Sequence, residues 1–288
     1  MLCFAALINE RSSMDNNGFE EQRRNKFLLQ SAVWYVFLIA LSYLLPEVML
    51  FYILCGAYDV SRNSNIDGRI LYRYFFGNGV PTWALSPFNI LMDIVTLPYI
   101  NKKIYQLQDL PEECQAEINE LLEVVKAEKV VDELASRAEK IRRSMIFFKW
   151  YGNNIDNFYN VPAFHKDYKY IRTIGVSVFN KKESTDEHFG PLRTTLRVLY
   201  NINDITSRDT YIKVRDEENH WCESKMFIFD DTLQHQSLNE TDEPRYCLFV
   251  DIVRPSLFHF GMDLFVKFVA IIMQKMNHIF YSSWVPLK

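Results

Sequence analysis

The stretch T-I-G-V-S-V-F-N at Thr173–Asn180 decides the fold class that the sequence predicts. In it Ile174, Val176 and Val178 alternate with smaller or more polar residues, and successive side chains of a strand point to opposite faces. Four later runs of the chain repeat this alternation, and turn-forming clusters separate them. Several short strands at such spacing predict a sandwich or a barrel. The four runs are Thr194–Ile202, Tyr211–Val214, Lys225–Phe229 and Arg245–Val253.

The composition excludes several classes of protein. Of the 288 residues, 49% are hydrophobic and 15% aromatic, which is too apolar for a disordered chain. The formal net charge of -4 argues against a nucleic-acid partner, because such proteins carry a basic surplus. The five cysteines are an odd number and form no CxxC pair, so neither a disulfide framework nor a zinc finger is indicated. We therefore expect the β-rich part to face a reducing compartment.

An apolar segment at 27–58 predicts a membrane anchor. Its only charged residue is Glu47, and roughly twenty apolar residues suffice to cross a bilayer. The segment could form one tilted transmembrane helix or two shorter arms broken at Pro46. Basic residues flank both ends, so the positive-inside rule does not choose an orientation, and a re-entrant hairpin with both ends cytoplasmic is a further reading. A signal peptide and a buried core helix are the alternatives.

The rest of the chain divides by composition around the β-rich part. After an N-terminal tail at 1–26 and the apolar segment, residues 59–149 read as a juxtamembrane and helical region. Within it, Pro111–Lys149 has apolar residues at helical spacing. Residues 150–256 would form the β domain. Residues 257–288 predict an amphipathic helix on the membrane surface. The stripe expected to enter the membrane consists of Phe265, Phe268, Val269, Ile272 and Met276.

Two histidines and one arginine are the candidates for chemistry. His188 lies at a strand edge, and His235 follows the run F-I-F-D-D. Arg245 opens the next strand after a turn, so we expect His235 and Arg245 on facing strands with side chains on one face. An imidazole for a metal would then lie beside a guanidinium, which binds carboxylates in bidentate fashion. In a β-rich domain such residues are also common as structural or surface groups.

Three ordered motifs add a resemblance to a known family. H-F-G-P-L-R-T-T-L-R, F-D-D-T-L-Q-H and E-P-R-Y-C-L-F-V-D-I-V-R-P resemble the aspartyl/asparaginyl β-hydroxylases, which are iron(II)- and 2-oxoglutarate-dependent dioxygenases. The upstream segments F-F-K-W-Y-G-N-N and S-P-F-N-I-L-M-D-I-V-T-L-P are similar to the lipid A hydroxylase branch of that family. The catalytic resemblance covers about residues 150–256.

The resemblance implies a fold, a cofactor and a reaction. It implies a double-stranded β-helix (jelly roll) with flanking helices, in which His188 and His235 hold Fe(II). Arg245 would bind the distal carboxylate of the co-substrate 2-oxoglutarate, and Arg197 and Ser177 would contact the same molecule. With O₂ as the second co-substrate, the enzyme would hydroxylate an acyl chain of a membrane lipid similar to lipid A. A membrane location follows, with the catalytic domain facing the cytoplasm, at the inner membrane if the source is bacterial.

The sequence departs from the family pattern at three positions. The usual carboxylate two residues after the first histidine is replaced by Gly190. A pocket histidine is replaced by Leu199, and a glycine before the F-D-D run by Ser224. Animal aspartyl hydroxylases resemble this chain in lacking the carboxylate. Two alternatives therefore stay open: hydroxylation of an aspartyl or asparaginyl side chain in a polypeptide, and a non-catalytic member of the family.

Overall fold

The computed structural model describes residues 33, 36, 39–138, 141–280 and 285–286, with side chains described up to residue 271 in the last long helix. The chain divides into two units, residues 1–54 and 55–288. Within the described part of the first unit, residues 39–44 are helical, Leu45 interrupts, and helix α1 begins at Pro46. The second unit carries the sheets.

The predicted membrane segment at 27–58 is only partly covered by the described residues. Residues 27–32, 34, 35, 37 and 38 lie outside them. Among the helices that the structure does describe, none combines the length and the apolar character needed to cross a membrane. Helix α1 covers Pro46–Ser61 and keeps large apolar side chains such as Leu50 and Phe51 exposed. The membrane span stays a prediction.

Three short helices follow α1. They are α2 (Gly68–Phe75), α3 (Val80–Ala84) and α4 (Ser86–Val95). The side chain of Asp67 starts α2 by accepting hydrogen bonds from the backbone N–H groups of Arg69 and Ile70, which have no partner inside the helix. These helices occupy the start of the predicted juxtamembrane region.

The predicted amphipathic helices are present as far as Ala138, but residues 143–149, at the end of the segment with expected helical character, lie in a β-strand. Helix α5 covers Glu112–Ala127 directly after Pro111, and α6 covers Val130–Ala138. The residues at helical spacing in α5 are buried, which confirms the predicted apolar stripe. They pack against one face of the larger sheet. The buried residues of the predicted α5 stripe are Ile118, Leu121, Leu122 and Val125.

The larger sheet has eight strands in the described residues. Its order is β1-β9-β6-β11-β4-β2-β12, with β3 paired to β2, and all neighbours are antiparallel except β12 and β2. Strand β4 confirms the predicted alternation: Ile174, Val176 and Val178 enter the core with α5, whereas Ser177 faces a cavity. The strands are β1 (Ile104–Tyr105), β2 (Arg143–Trp150), β3 (Asn153–Asn154), β4 (Ile171–Phe179), β6 (Thr195–Asn201), β9 (Met226–Phe229), β11 (Arg245–Val253) and β12 (Val285–Pro286).

The smaller sheet has four strands in the order β5-β10-β7-β8. Leu199 and Phe249 of the larger sheet pack against Ile212 and Val214 of the smaller one, so the two sheets face each other. The protein is therefore mainly β with flanking helices. The smaller sheet consists of β5 (Glu183–Ser184), β7 (Thr210–Val214), β8 (Glu217–His220) and β10 (His235–Asn239).

The expected pairing of the strands that carry His235 and Arg245 is wrong. His235 opens β10 in the smaller sheet, and Arg245 opens β11 in the larger sheet. Strand β10 pairs with β5 and β7, whereas β11 pairs with β4 and β6. The connection between them therefore crosses from one sheet to the other. The two side chains meet across the cavity between the sheets instead of along one ladder.

Helix α7 covers His259–Phe280, within the predicted C-terminal amphipathic segment. The outward stripe differs from the expected one, because Val269 is buried and Phe265 is stacked on Phe88 of α4. Of the expected stripe, Phe268 is exposed. The side chains of Ile272 and Met276 lie outside the described ones. Helix α7 thus presents a different apolar stripe outward, which consists of Leu264, Phe268 and Ile271.

Candidate active site

His188 and His235 are held side by side by their own backbones. Each backbone N–H donates to the carbonyl of the other residue at 2.9 Å, forming an isolated antiparallel bridge. The ring centroids are 4.1 Å apart. This bridge connects the loop before β6 to the first residue of β10. Both imidazoles line the same cavity, whose volume is about 150 Å³.

Each imidazole has one nitrogen committed to the protein. Nδ1 of His188 lies 2.8 Å from the carbonyl oxygen of Asp186, and Nδ1 of His235 lies 2.8 Å from that of Leu233. Since a carbonyl only accepts, each Nδ1 must donate, and the neutral ring then carries its lone pair on Nε2. Such a second partner fixes the tautomer and the ring orientation of metal-binding histidines.

Burial keeps both imidazoles neutral. Loss of solvation, followed by the proximity of His235, lowers the pKa of His188 to about 3. Loss of solvation also lowers the pKa of His235 to about 4. Both rings are therefore unprotonated at neutral pH, which is the form that binds a metal ion.

The carboxylate of Asp231 occupies the space beside Gly190. A Cβ atom at Gly190 would lie 1.8 Å from Oδ2 of Asp231, far inside van der Waals contact. The backbone N–H of Gly190 also donates to the carbonyl of Asp231 at 2.7 Å. Oδ1 of Asp231 lies 3.3 Å from Nε2 of His235. The chain therefore has a carboxylate beside the histidines, but it comes from the turn before β10 instead of position 190.

Arg197 is held by two carboxylates at this end of the cavity. Its Nη2 lies 3.1 Å from Oδ2 of Asp231, and its Nε donates to Oδ1 of Asp251 at 2.6 Å. The guanidinium also stacks on the ring of Phe249 at 3.7 Å. Arg197 thus lines the cavity as predicted, with its side chain directed towards Asp231.

Arg245 has the opposite surroundings. Its side chain is 1% exposed, and its Nε and Nη1 have no hydrogen-bond partner among the described residues. The guanidinium lies over the ring of Phe179 at 4.3 Å and near that of Trp221 at 5.4 Å. Burial without a carboxylate lowers the pKa of Arg245, but the group stays charged because its ordinary pKa is so high.

Ser177 lies on the same face as Arg245. In the antiparallel pair β4–β11, Phe179 is opposite Arg245 and Ser177 is opposite Cys247, so all four side chains lie on one face of the sheet. The hydroxyl of Ser177 donates to the carbonyl of Cys247 at 3.3 Å. The structure thus brings all five predicted site residues to one cavity. They are His188, His235, Arg245, Arg197 and Ser177.

The part of the chain that forms this cavity matches a known protein family. A model of the family described as Aspartyl/Asparaginyl beta-hydroxylase matches residues 112–255, which contain the cavity residues named above. The chain belongs to this family. The fold it shares with the family therefore extends from α5 to the end of β11, and the helices α1–α4 lie outside the matched region.

Among curated proteins, this β-hydroxylase family member is similar to an ornithine lipid ester-linked acyl 2-hydroxylase from Rhizobium tropici. The two are 35% identical over 86 residues, which are 30% of this chain and 31% of the relative. The chain thus matches about a third of the length of that relative. Both the family and the relative bear the names of hydroxylases.

Two solved structures show weak similarity. An oxidoreductase of the 2OG-Fe(II) oxygenase family from Burkholderia pseudomallei is 12% identical, with coverage of 43% of this chain and 75% of that one, and a TM-score of 0.29. The protein TT1209 from Thermus thermophilus is 14% identical, with coverage of 44% and 98% and a TM-score of 0.28. Similarity at this level does not extend to activity.

Gly190 and Leu199, two positions at which the sequence departs from the expected pattern, both line the cavity. Leu199 lines the cavity and packs with Ile212 and Phe249, so the wall that a histidine would make polar is apolar here. In the described parts of the chain, no group of three or more His, Cys, Asp and Glu side chains is arranged to hold a metal ion.

Helices outside the family match hold the loop that carries His188. The hydroxyl of Thr82 donates to the carbonyl of Gly190, and Nδ2 of Asn89 donates to that of Pro191 at 3.1 Å. Oδ1 of Asn89 accepts from the backbone N–H of Arg193 at 3.0 Å. Both Thr82 and Asn89 are fully buried. The sequence analysis did not find these residues, because a threonine and an asparagine on short helices carry no signal of a contact about a hundred positions away.

A buried ion-pair network lies behind the same loop. Nη2 of Arg193 lies 2.5 Å from Oδ1 of Asp59, and Nη1 lies 2.7 Å from Oδ2 of Asp93. Asp230, beside the cavity carboxylate, is paired with Arg62 and lies 3.7 Å from Nε of Arg193. These ion pairs lower the pKa of Asp230 despite its complete burial. The network attaches α1 and α4 to the turn that precedes His235.

Proposed function

We propose that this protein is an Fe(II)- and 2-oxoglutarate-dependent dioxygenase that hydroxylates an acyl chain of a membrane lipid. One observation carries the proposal. Two neutral imidazoles whose lone pairs are on Nε2 share a cavity with a buried guanidinium whose Nε and Nη1 have no partner among the described residues. Such a guanidinium is costly unless a ligand pairs with it. We assign the two facing sheets to the double-stranded β-helix fold that suits this site.

His188 and His235 would hold the iron. Their Nδ1 atoms are fixed by backbone carbonyls, and burial keeps the rings unprotonated, so the donor set fits a divalent iron ion. Two histidines leave several coordination positions for co-substrates and water. Asp231 lies beside Nε2 of His235 and would place negative charge next to the ion, with Arg197 fixing its orientation.

Arg245 would bind the distal carboxylate of 2-oxoglutarate. Nε and Nη1 lie on different edges of the guanidinium, and both are without a partner among the described residues, so a carboxylate can pair with this group while Phe179 and Trp221 restrict its rotation. The hydroxyl of Ser177, which donates to the carbonyl of Cys247, lies on the same face. Arg197 stays a predicted contact of the co-substrate, and its positive charge at the histidine end would suit the second carboxylate. Arg245 and the histidines would thus orient the diacid along the cavity.

When bound, iron(II) supplies the activation of O₂ that inserts one oxygen atom into a C–H bond of the substrate and the other into succinate, with release of CO₂ from 2-oxoglutarate. The protein's own groups position this chemistry. Leu199, Ile212 and Phe249 make the inner wall apolar and limit the entry of water.

A lipid substrate has support from outside the cavity. The curated relative is named for the hydroxylation of a lipid acyl chain, and apolar segments precede and follow the β domain in this chain. We propose a membrane-attached enzyme whose catalytic domain faces the cytoplasm. One observation favours an aspartyl or asparaginyl side chain as the second candidate substrate. Gly190 stands where lipid A hydroxylases resembling this chain have the metal carboxylate.

Lipid extracts test the proposal directly. Cells that express the wild type should contain hydroxylated acyl chains that are absent from cells expressing His235→Ala at the same protein level. Hydroxylated aspartyl or asparaginyl residues in protein digests, with matching lipid extracts, would replace the lipid by a polypeptide substrate. No new hydroxyl group in either fraction would contradict the enzymatic function.

A further inference from the structure

The outer surfaces of two segments that pack together carry exposed large apolar side chains. The first segment is α4 with the residues after it, and the second is the start of α7 with the residues before it. They are joined by the rings of Phe88 and Phe265, which stack with centroids 3.8 Å apart, and by a hydrogen bond of 3.3 Å from Ser256 to the carbonyl of Val95. The apolar face consists of Leu91, Ile94, Ile100, Phe260, Leu264 and Phe268.

The exposure of this face is unusual for large apolar side chains. Ile100 is 74% and Phe260 is 76% exposed. Helix α7 is apolar on both sides, since Met262, Val266 and Val269 are buried against the β domain. A helix that is apolar all round is normally covered on every side. Its outer stripe therefore needs an occupant.

The charges around the face identify that occupant. The only acidic residues in 86–101 and 255–271 are Asp93 and Asp263. Asp93 is directed towards Arg193 and Arg254, at 2.7 and 2.6 Å. Asp263 contacts Arg172 at 2.5 Å and is mostly buried. Lys267 pairs with the other carboxylate oxygen of Asp263 at 2.8 Å, with 63% of its side chain exposed beside the apolar stripe. Exposed apolar side chains whose neighbouring charged groups are paired within the protein suit the apolar region of a lipid bilayer.

The face also lies close to the active-site cavity. Tyr151 and Leu192 line the cavity and belong to the same packed layer as Met92 of α4 and Met262 of α7. The inner side of this layer is thus a cavity wall, and its outer side is the apolar face. We propose that this face docks the β domain on a lipid bilayer and brings the cavity next to the acyl chains. This inference rests on the proposed lipid substrate, but it can be measured without turnover.

Photolabelling from within the bilayer tests the docking. The full chain is reconstituted in vesicles of phosphatidylcholine and phosphatidylglycerol that contain a trace of phosphatidylcholine with a diazirine on its acyl chain. After illumination, mass spectrometry should find lipid adducts on peptides 86–101 and 255–271. Adducts confined to 27–58 would overturn the proposal, as would cross-links between copies through these peptides without lipid adducts.

A matched pair of variants distinguishes insertion of the apolar face into the bilayer from nonspecific adsorption of the protein to vesicles. Leu264→Glu with Phe268→Glu should reduce lipid adducts on 86–101 and 255–271 by about tenfold or more, because charged side chains are excluded from the acyl region. Ile66→Glu is the control, since Ile66 is 50% exposed near Ser64, which bonds to Asp216 between β7 and β8. Circular dichroism confirms that each variant is folded. Equal labelling in both variants would contradict the docking face.

The two proposals can fail separately. Lipid adducts on the face without any hydroxylated acyl chain in cells would support the docking face and contradict the lipid hydroxylase function. Hydroxylated acyl chains without adducts on the face would support the lipid hydroxylase function and contradict the docking face.

Discussion

Arg193 and Arg245 are both fully buried, but their surroundings differ completely. Arg193 contacts Asp59 and Asp93 and lies near Asp230, so its charge is matched inside the protein. For Arg245, Nε and Nη1 have no partner among the described residues, and the guanidinium lies against aromatic rings. A buried charge with partners holds a structure together, whereas a buried charge without them is suited to an external anion. Arg193 and its carboxylates are thus suited to maintaining the fold, whereas Arg245 is suited to binding an anion in the cavity.

The largest expected effect is the loss of protein stability when Arg193, the arginine paired with carboxylates, is replaced. Arg193→Met should lower the free energy of unfolding by about 3–5 kcal/mol, because it leaves buried carboxylates without their partner. Arg245→Met removes a cation that has no buried carboxylate to leave behind, and it should change stability by less than about 1 kcal/mol or increase it. Urea unfolding of the two variants measures the difference. Equal losses of unfolding free energy in the two variants would contradict the proposed difference between Arg193 and Arg245.

The next effect concerns affinity and reverses the order of the two arginines. Arg245→Met should weaken 2-oxoglutarate binding by about 2–5 kcal/mol, since a desolvated charge pair is lost. Arg245→Lys should lose less, because it keeps the charge but not the planar fork. Calorimetry without oxygen, in the presence of Fe(II), measures both. Undiminished affinity in Arg245→Met would assign the distal carboxylate to another residue.

The close contact of Gly190 and Asp231 gives a third, smaller effect. Gly190→Ala should destabilise the fold by roughly 1–3 kcal/mol, because the added Cβ overlaps the carboxylate of Asp231. Combining it with Asp231→Gly should recover part of that loss, since the space is then free. A double-mutant cycle measures the coupling. Strictly additive losses would show that the two positions do not share this space.

The sequence predicted the individual strands and helices better than their arrangement. The alternation in β4 and the helical spacing in α5 were visible because they are local patterns. The position of His235 and Arg245 in different sheets was not, because it depends on which strands pair over long distances. The same holds for Thr82, which is 108 residues from its partner Gly190. The outward stripe of α7 could not be predicted either, because both sides of that helix are apolar.

The smallest effect is the pH dependence of the ion-pair network. The pKa of Asp230 is lowered in the folded protein by Arg62 and Arg193, whereas an unfolded aspartate titrates near about 4. The carboxylate therefore stabilises the fold above about pH 4, and this contribution decreases as the pH falls below that value. Urea midpoints between about pH 6 and 3 should fall less steeply for Asp230→Asn than for the wild type. Parallel curves of urea midpoint against pH for the two proteins would show that Asp230 does not contribute to this pH dependence.

The most direct test of the account is whether the two histidines and Arg245 act on one iron-bound co-substrate. Fe(II) is added to the protein without oxygen, and the visible charge-transfer absorption that a chelating 2-oxo acid produces on iron is recorded as 2-oxoglutarate is titrated. The wild type should develop the band. His235→Ala should not develop it at any concentration, and Arg245→Met should develop it only at much higher 2-oxoglutarate. A wild type without the band, or a band unchanged in both variants, would contradict the assignment of this cavity.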